Sequence, residues 1–153
     1  MIVVAENDSE RKALSDIQKH GYHVLHVFDE QDELPPFTYS VGISANFGAP
    51  EIVIVGLPSD IAHPLVNTYC ERIRVGEVFT PKTTYPDFLT GLGIQFVSAS
   101  KTNYDEYFGW CQWFYEGDDF SVLQLVWPSK TKRWPWEGEA AEAYKQRQPL
   151  LNQ

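Results

Sequence analysis

Two hydrophobic periods run through the chain, one typical of helices and the other typical of strands. Apolar residues recur at spacings of three and four in the segments 9–20, 59–75 and 103–116, which predicts three helices. Gly21 follows the first segment and suits the left-handed conformation that closes a helix. In the second segment, Pro64 is expected in or near the first turn, because a proline deeper in a helix removes a backbone hydrogen bond.

Strand patterns fill the intervals between these helices. The segments 51–57 and 120–127 are apolar on both faces, which indicates strands that are covered on both sides. The segments 22–28 and 94–99 are further candidates, and 37–43 alternates cleanly between large apolar and small residues. This order of elements predicts an α+β fold with a central mixed or largely antiparallel sheet and about three helices packed on it.

Two segments without a clear period are predicted to be loops. The first, 44–50, would connect two strands of a hairpin, and the second, 77–93, contains two prolines and two glycines. A loop as long as the second one is typical of a lid or a covering flap. The strand before the hairpin connection has a small polar face of Thr38, Ser40 and Gly42, which is expected either to meet solvent or to let a ligand approach the backbone.

Length and composition indicate one globular domain over residues 1–153, in which 137–153 forms a tail with at most a weak helix. A hydrophobic content of 43% and an aromatic content of 14% exclude a disordered chain. No segment approaches the length of a membrane span, and the N-terminus lacks the pattern of a signal peptide, so a cytosolic protein is expected. In that compartment Cys70 and Cys111 are expected to be free, buried thiols.

The formal net charge of −9 narrows the classes of partner. It argues against nucleic-acid binding, which requires a basic surface to neutralise phosphates. It suits a basic protein partner that is attracted electrostatically. Acidic residues concentrate at Asp29, Glu30, Asp32 and Glu33, and we interpret them as a solvated loop rather than as a binding site.

The four histidines are the first candidates for chemistry. His20, His23 and His26 are spaced three apart, which resembles a metal site, but His23 and His26 face opposite sides of the predicted strand. His63 lies near the start of a predicted helix. A functional base and a hydrogen-bonded structural histidine both fit this pattern, and the second role is the more common one.

The remaining candidates for binding a ligand or partner are aromatic, hydroxyl and carboxyl side chains: Tyr39, Ser40, Trp113, Asp118, Asp119, Trp134 and Trp136. An aromatic stripe at helical spacing is more often part of a core than a stacking platform. Adjacent aspartates are more typical of a turn than of a catalytic pair or a cation site. Tryptophans beside a proline indicate either an exposed binding surface or a tail that folds back on the core.

The sequence lacks the common motifs for phosphate binding, nucleophilic catalysis and thiol redox chemistry. There is no glycine-rich phosphate loop, no Gly-x-Ser-x-Gly elbow and no Cys-x-x-Cys pair. The residues by themselves therefore identify neither a cofactor nor a catalytic group, and an enzyme is neither indicated nor excluded.

Several longer motifs follow one another along the chain. They are HGYHVLHV at 20–27, PFTYSVG at 36–42 and DDFSVLQLVWP at 118–128, with Pro50-Glu51, Gly56-Leu57-Pro58 and Gly109-Trp110 between them. In this combination the chain resembles a bacterial family known as the domain of unknown function 4262 family, over residues 17–136. The resemblance implies a small, soluble, single-domain bacterial protein, and it assigns no catalytic residue.

Two functions from different classes fit these features. The first is a non-catalytic interaction module, such as an immunity protein that neutralises a bacterial toxin, because the chain is acidic and lacks catalytic motifs. The second is a small-molecule binding protein or enzyme, with a nucleotide or flavin over the polar strand face that contains Ser40. Tyr39 or Trp113 would stack on that ligand, and the 77–93 loop would close over it.

A metal hydrolase is a third hypothesis. It requires His23 and His63 to converge with Asp118 or Asp119 on one ion. No spacing in the sequence brings these four residues together, so such a site would have to assemble from distant elements.

Overall fold

The computed structural model describes residues 3–31 and 33–153 and has a six-stranded mixed sheet at its centre. The strands are β1 (His23–Val27), β2 (Phe37–Val41), β3 (Glu51–Val55), β4 (Tyr85–Leu89), β5 (Leu92–Ser98) and β6 (Val122–Val126). Their order across the sheet is β1-β2-β3-β6-β5-β4. Strands β3 and β6 are parallel, and the other neighbouring pairs are antiparallel. The predicted single-domain α+β fold with a mixed, largely antiparallel sheet is confirmed.

Six helices in the described residues pack on this sheet: α1 (Asp8–His20), α2 (Ile43–Phe47), α3 (Ser59–Arg74), α4 (Tyr104–Tyr107), α5 (Gly109–Tyr115) and α6 (Glu142–Arg147). The side chain of Asn7 caps α1 by accepting a hydrogen bond from the backbone N–H of Glu10 at 2.8 Å. The predicted stop at Gly21 is confirmed by its φ of 93°. Within the described ranges, no helix combines the length and the apolar character that crossing a membrane requires.

Each face of the sheet is buried under helices. Helix α3 packs on one face, where its Val66 joins Ile54 of β3 in the larger buried cluster. Helices α1, α4 and α5 cover the other face, where Ile17 and Phe108 join Val53 in a second cluster. All five residues of β3 and all five residues of β6 are buried. This burial confirms the prediction that both strands are covered on both sides.

Two of the predicted loops contain regular structure. The 44–50 connection includes most of α2, which is only five residues long and shows no helical period in the sequence. The 77–93 loop is not a flap, because β4 and the start of β5 lie within it and pair with each other. Strand β4 was missed because it contains Pro86, a residue that is tolerated at the edge of a sheet but argues against a central strand.

The predicted helices also differ from the structure in three details. The 103–116 helix is divided at Phe108, whose φ of −119° and ψ of 42° separate α4 from α5. Asn103, before α4, is a residue type that favours the N-cap position, but it makes no capping hydrogen bond; its side-chain amide group donates to the carbonyl of Leu151 at 2.8 Å. Pro64 lies inside α3 in the second turn rather than the first, so one backbone hydrogen bond of that helix is missing.

The C-terminal segment folds back onto the sheet beyond α6. The side-chain amide of Gln124 in β6 accepts a hydrogen bond from the backbone N–H of Leu151 at 2.8 Å and donates one to the carbonyl of Pro149 at 3.0 Å. Leu151 is buried, and its carbonyl accepts a hydrogen bond from the N–H of Ser100 at 2.7 Å. The last residues are therefore part of the packed structure.

Candidate functional site

A cleft of about 620 Å³, here termed the histidine cleft, opens beside the edge strand β1 and between α1 and α3. All four histidines of the chain line it, namely His20, His23, His26 and His63. His23 contacts Trp110 on one face of β1 and His26 contacts His63 on the other. Both still reach the cleft, because no further strand in the described residues covers this edge of the sheet. The volume lies in the range typical of small-molecule sites.

His26 and His63 form a hydrogen-bonded pair that extends to Thr38. Nε2 of His26 lies 3.0 Å from Nδ1 of His63, and Nδ1 of His26 lies 3.0 Å from the hydroxyl oxygen of Thr38. A neutral imidazole has one donor and one acceptor nitrogen, so this chain of hydrogen bonds has two arrangements. In one arrangement Nε2 of His63 carries a proton, and in the other the same nitrogen is an unprotonated base.

The pKa of His26 favours the neutral imidazole that the hydrogen-bonded pair with His63 requires. Partial burial lowers the pKa of His26 below its ordinary value of 6.5, and the neighbouring His63 and His23 lower it further, because they oppose an added positive charge. At pH 7 His26 is consequently neutral. It therefore offers both the donor nitrogen and the acceptor nitrogen that the pair requires.

His23 forms a second pair in the cleft with Asp16 from α1. Nδ1 of His23 lies 2.7 Å from a carboxylate oxygen of Asp16, so Nδ1 donates, and Nε2 is the nitrogen that can accept whenever the ring carries a single proton. Lys12 donates to the same carboxylate at 2.8 Å. Burial alone would raise the pKa of Asp16, but the hydrogen bonds from Lys12 and His23 outweigh burial and hold that pKa below its usual value. Asp16 thus stays ionised and fixes the tautomer of His23.

Apart from Val24, the other cleft residues are polar, and they include no ready nucleophile. Tyr22 donates to the side-chain oxygen of Asn67 at 2.5 Å, and burial raises the pKa of Tyr22 to about 12, so its hydroxyl keeps its proton. Cys70 lines the cleft, and Cys70 and Cys111 are both free and buried as predicted. Burial raises the pKa of the Cys70 thiol, which disfavours the reactive thiolate. Arg74 adds a positive charge to the lining and Glu71 adds a negative one.

Two predicted binding residues lie in the core instead of the cleft. Ser40 is fully buried, and its hydroxyl donates to Glu51 at 2.8 Å. Tyr39 is buried on the opposite face of β2, where its hydroxyl accepts a hydrogen bond from the backbone N–H of Trp110 at 3.2 Å. The strand face that was expected to meet solvent or a ligand is covered by α3, so Thr38 on that face is buried as well. The expectation of an open polar face is therefore wrong.

A buried carboxylate that the sequence did not single out organises this region. Glu51 is fully buried at the start of β3 and accepts hydrogen bonds from five donors. The donors, which together with Glu51 are termed the Glu51 cluster, are the hydroxyls of Ser40 and Tyr115 and the backbone N–H groups of Gly42, Ile43 and Ser44. The backbone donors belong to the N-terminus of α2, where a carboxylate is favoured. Burial raises the pKa of Glu51, and the hydrogen bonds, led by the one from Tyr115, oppose that rise.

The candidates from α5 and the following turn lie away from the histidine cleft. Trp113 is half-buried against Trp110, with ring centroids 5.4 Å apart. Asp118 is exposed and accepts a hydrogen bond from the Gln112 side chain at 2.8 Å, and Asp119 is exposed in a separate shallow depression. Within residues 3–31 and 33–153, no group of three or more His, Cys, Asp or Glu side chains is arranged to hold a metal ion. His23 and His63 therefore do not converge with Asp118 or Asp119 on one ion, and the prediction that the metal hydrolase hypothesis requires is wrong.

The two tryptophans near the C-terminus form a third, separate surface. The rings of Trp134 and Trp136 stack in parallel with centroids 5.3 Å apart. Trp136 is 46% exposed and lines a groove of about 790 Å³ beside β5 and the C-terminal tail. Of the residues predicted from the sequence to form a site, His23 and His63 are the pair that the structure brings together in the histidine cleft.

Sequence reasoning did not select Asp16, and it treated His26 only as one of four candidate histidines without placing it in a proposed site. The signal for Asp16 was its position seven residues before His23 across the helix stop at Gly21, because a helix that reverses into a strand brings such positions together. No sequence signal pairs His26 with His63, which lie 37 residues apart.

Comparison with known proteins finds a match to one family model. Residues 16–141 match the family model described as Domain of unknown function (DUF4262), a range that includes Asp16 and all four histidines. Neither the curated proteins nor the solved structures contain a match to the chain. The resemblance drawn from the motifs is confirmed, and the chain belongs to the DUF4262 family.

Proposed function

We propose that the protein binds a small polar molecule in the histidine cleft and transfers a proton to or from it. The observation that carries this proposal is the convergence of all four histidines on one cleft, with hydrogen-bonded partners that orient His23, His26 and His63. The proposal keeps the small-molecule function expected from the sequence but moves its site from the strand face of Ser40 to the cleft.

Acid–base chemistry needs a proton donor and a proton acceptor within hydrogen-bonding reach of the ligand. His23, with its Nδ1 bonded to a carboxylate, presents Nε2 as the acceptor. The His26–His63 pair supplies a second imidazole nitrogen that either donates or accepts. The charged side chains of the lining are balanced, with Lys12 and Arg74 against Asp16 and Glu71. A metabolite that places one phosphate or carboxylate group beside Lys12 or Arg74 and neutral polar groups elsewhere fits this lining best, and nucleotides are among the candidates.

Nuclear magnetic resonance of the imidazole side chains tests this proposal directly, since the chain has only four histidines. Single His→Gln substitutions assign the four imidazole signals. The protein is then titrated at pH 7 with AMP, glucose 6-phosphate, citrate and FMN. We expect at least one of these molecules to shift the signals of His23 and His63 and to raise the Tm.

The cleft variants and a remote control sharpen the test. His23→Gln and His63→Gln should abolish the ligand-dependent rise in Tm, whereas Trp136→Phe, in a different groove, should retain it. The proposal fails if none of the four molecules moves an imidazole signal at millimolar concentration. It also fails if the control loses binding together with the cleft variants.

A second candidate function is a non-catalytic interaction module that binds a basic protein in the bacterial cytosol, with an immunity protein against a toxin as one example. It is supported by an excess of 21 acidic over 12 basic residues. Co-purification from the native host should return one basic protein in stoichiometric amount, and a ligand of the histidine cleft should not release it. Recovery of the protein without such a partner would count against this function.

A further inference from the structure

A hydrophobic groove lies where β1 passes into the loop before β2. Phe28 is 72% exposed and Leu34 is 65% exposed, although large apolar side chains are usually buried. Together with Val27, Phe37 and Tyr107 they line a groove of about 290 Å³, here termed the Phe28 groove. Exposed apolar surface that is concentrated in one place is typical of a binding site.

Hydrogen bonds to the Asp29 side chain connect the described residues of the loop that carries these side chains. The carboxylate of Asp29 accepts hydrogen bonds at 3.1–3.2 Å from three backbone N–H groups, those of Gln31, Glu33 and Leu34. This turn fixes Phe28 at one end and Leu34 at the other, so that both side chains line the same groove. The apolar side chains therefore lie on either side of backbone N–H groups at residues 31, 33 and 34 that one carboxylate holds.

Acidic residues surround the groove. Asp29 and Glu106 line it, and Glu30 and Glu33 are exposed in the adjoining turn. In the described part of the chain, no lysine or arginine lines the groove, and none of these four carboxylates takes part in an ion pair. Asp32, which the sequence analysis placed in the same acidic loop, lies outside the described residues.

We propose that the Phe28 groove is the docking site for a segment of a basic protein in which an apolar side chain is flanked by lysine or arginine. The apolar side chain fills the groove, and the flanking cations pair with the acidic residues around it. A second copy of this chain is a poor occupant, because it would bring the same acidic residues and a net charge of −9 to an acidic surface. The inference rests on the second candidate function, and it assigns the Phe28 groove as the surface that binds the basic protein.

Selection from a random dodecapeptide phage library on the immobilised whole protein tests the site without assuming a partner. We expect enriched peptides to carry a net positive charge and a leucine, phenylalanine or methionine between basic residues. Synthetic copies should bind the Phe28→Ser/Leu34→Ser variant at least about tenfold more weakly than the wild type. The matched control is Val75→Ser/Val78→Ser, because these valines are 78% and 80% exposed elsewhere and should leave affinity unchanged.

The possible outcomes distinguish a failure of the proposed docking site from a failure of the second candidate function. Basic peptides that bind the groove variant as tightly as the wild type would overturn the groove and leave the second candidate function standing. Failure to enrich any basic peptide would count against both. A concentration-dependent dimer in sedimentation that the groove variant abolishes would identify a second copy as the occupant, and the proposal of a basic segment would be wrong. Circular dichroism checks that both double variants keep the wild-type fold.

Discussion

The Glu51 cluster and the histidine cleft are both polar, but they use their polar groups in opposite ways. In the cluster, one buried carboxylate accepts hydrogen bonds from five donors that all belong to the protein. In the cleft, Asp16 and His26 each hold one nitrogen of a neighbouring imidazole, and the other nitrogen of that ring remains for a ligand. A polar group satisfied entirely by the protein stabilises the fold, whereas a half-satisfied group in a cleft can act on another molecule.

Among substitutions in the Glu51 cluster and the histidine cleft, Glu51→Ala is expected to lower the stability of the protein most. It leaves three backbone N–H groups and two hydroxyls without their acceptor, and we expect a loss of about 3 to 5 kcal/mol in the free energy of unfolding. Urea denaturation followed by tryptophan fluorescence measures that loss. Glu51→Gln keeps the shape and one acceptor oxygen, so its loss should be intermediate. A loss below about 1 kcal/mol for the alanine variant would contradict the structural role of the cluster.

Tyr115→Phe removes one donor from the same cluster. Burial and the adjacent Glu51 raise the pKa of Tyr115, so its hydroxyl keeps a proton to donate, and its oxygen also accepts from the N–H of Ala45 at 3.2 Å. We expect a loss of about 1 to 2 kcal/mol in the free energy of unfolding. A double-mutant cycle with Ser40→Ala should show coupling through the shared carboxylate, and strict additivity would contradict it.

The cleft is expected to respond to pH through His26. Because its pKa is lower in the folded chain than the ordinary value of 6.5, the unfolded chain binds more protons between the two values. The stability contributed by neutral His26 is therefore complete above pH 6.5 and is lost as the pH falls through the lowered pKa. Urea denaturation between pH 6.5 and about pH 5 should show a steeper loss for the wild type than for His26→Gln. Equal slopes would contradict this assignment.

Asp16→Asn is expected to change stability least, by less than about 1 kcal/mol, because Lys12 is largely exposed and an asparagine side-chain oxygen can still accept the hydrogen bond from Nδ1 of His23. The same substitution should reduce the ligand-induced shift of the His23 imidazole signals, since the carboxylate that holds Nδ1 is lost. Lys12→Gln keeps that carboxylate and serves as the control. A large loss of stability with unchanged His23 signals would mean that Asp16 stabilises the fold, as the Glu51 cluster does, and does not act on a ligand.

Much of the fold was predictable because it follows local periods. Strands β3 and β6 have apolar residues on both faces, and α1 ends at a glycine, so neither required knowledge of distant contacts. The missed elements depend on such contacts. Helix α2 has five residues and its N-terminus is held by Glu51, which comes after it in the chain. Strand β4 contains Pro86 and is defined by its pairing with β5.

The site was harder to predict for the same reason. Sequence reasoning selected His23 and His63 but could not see that His23, at the open edge of the sheet, and His63, on α3, line one cleft. Glu51 looked like the polar first residue of an apolar strand, while its partner Tyr115 lies 64 residues away. Convergence over such separations leaves no local period in a single sequence.

The place of β6 in the sheet has a consequence for how the protein is made. Strand β6 pairs with β3, yet α3, β4 and β5 are all synthesised between them. Until residues 122–126 leave the ribosome, one edge of β3, with the sequence EIVIV, has no strand beside it. Unpaired apolar edges of this kind favour aggregation of nascent chains. Shielding of this edge during translation would therefore reduce aggregation of the nascent chain.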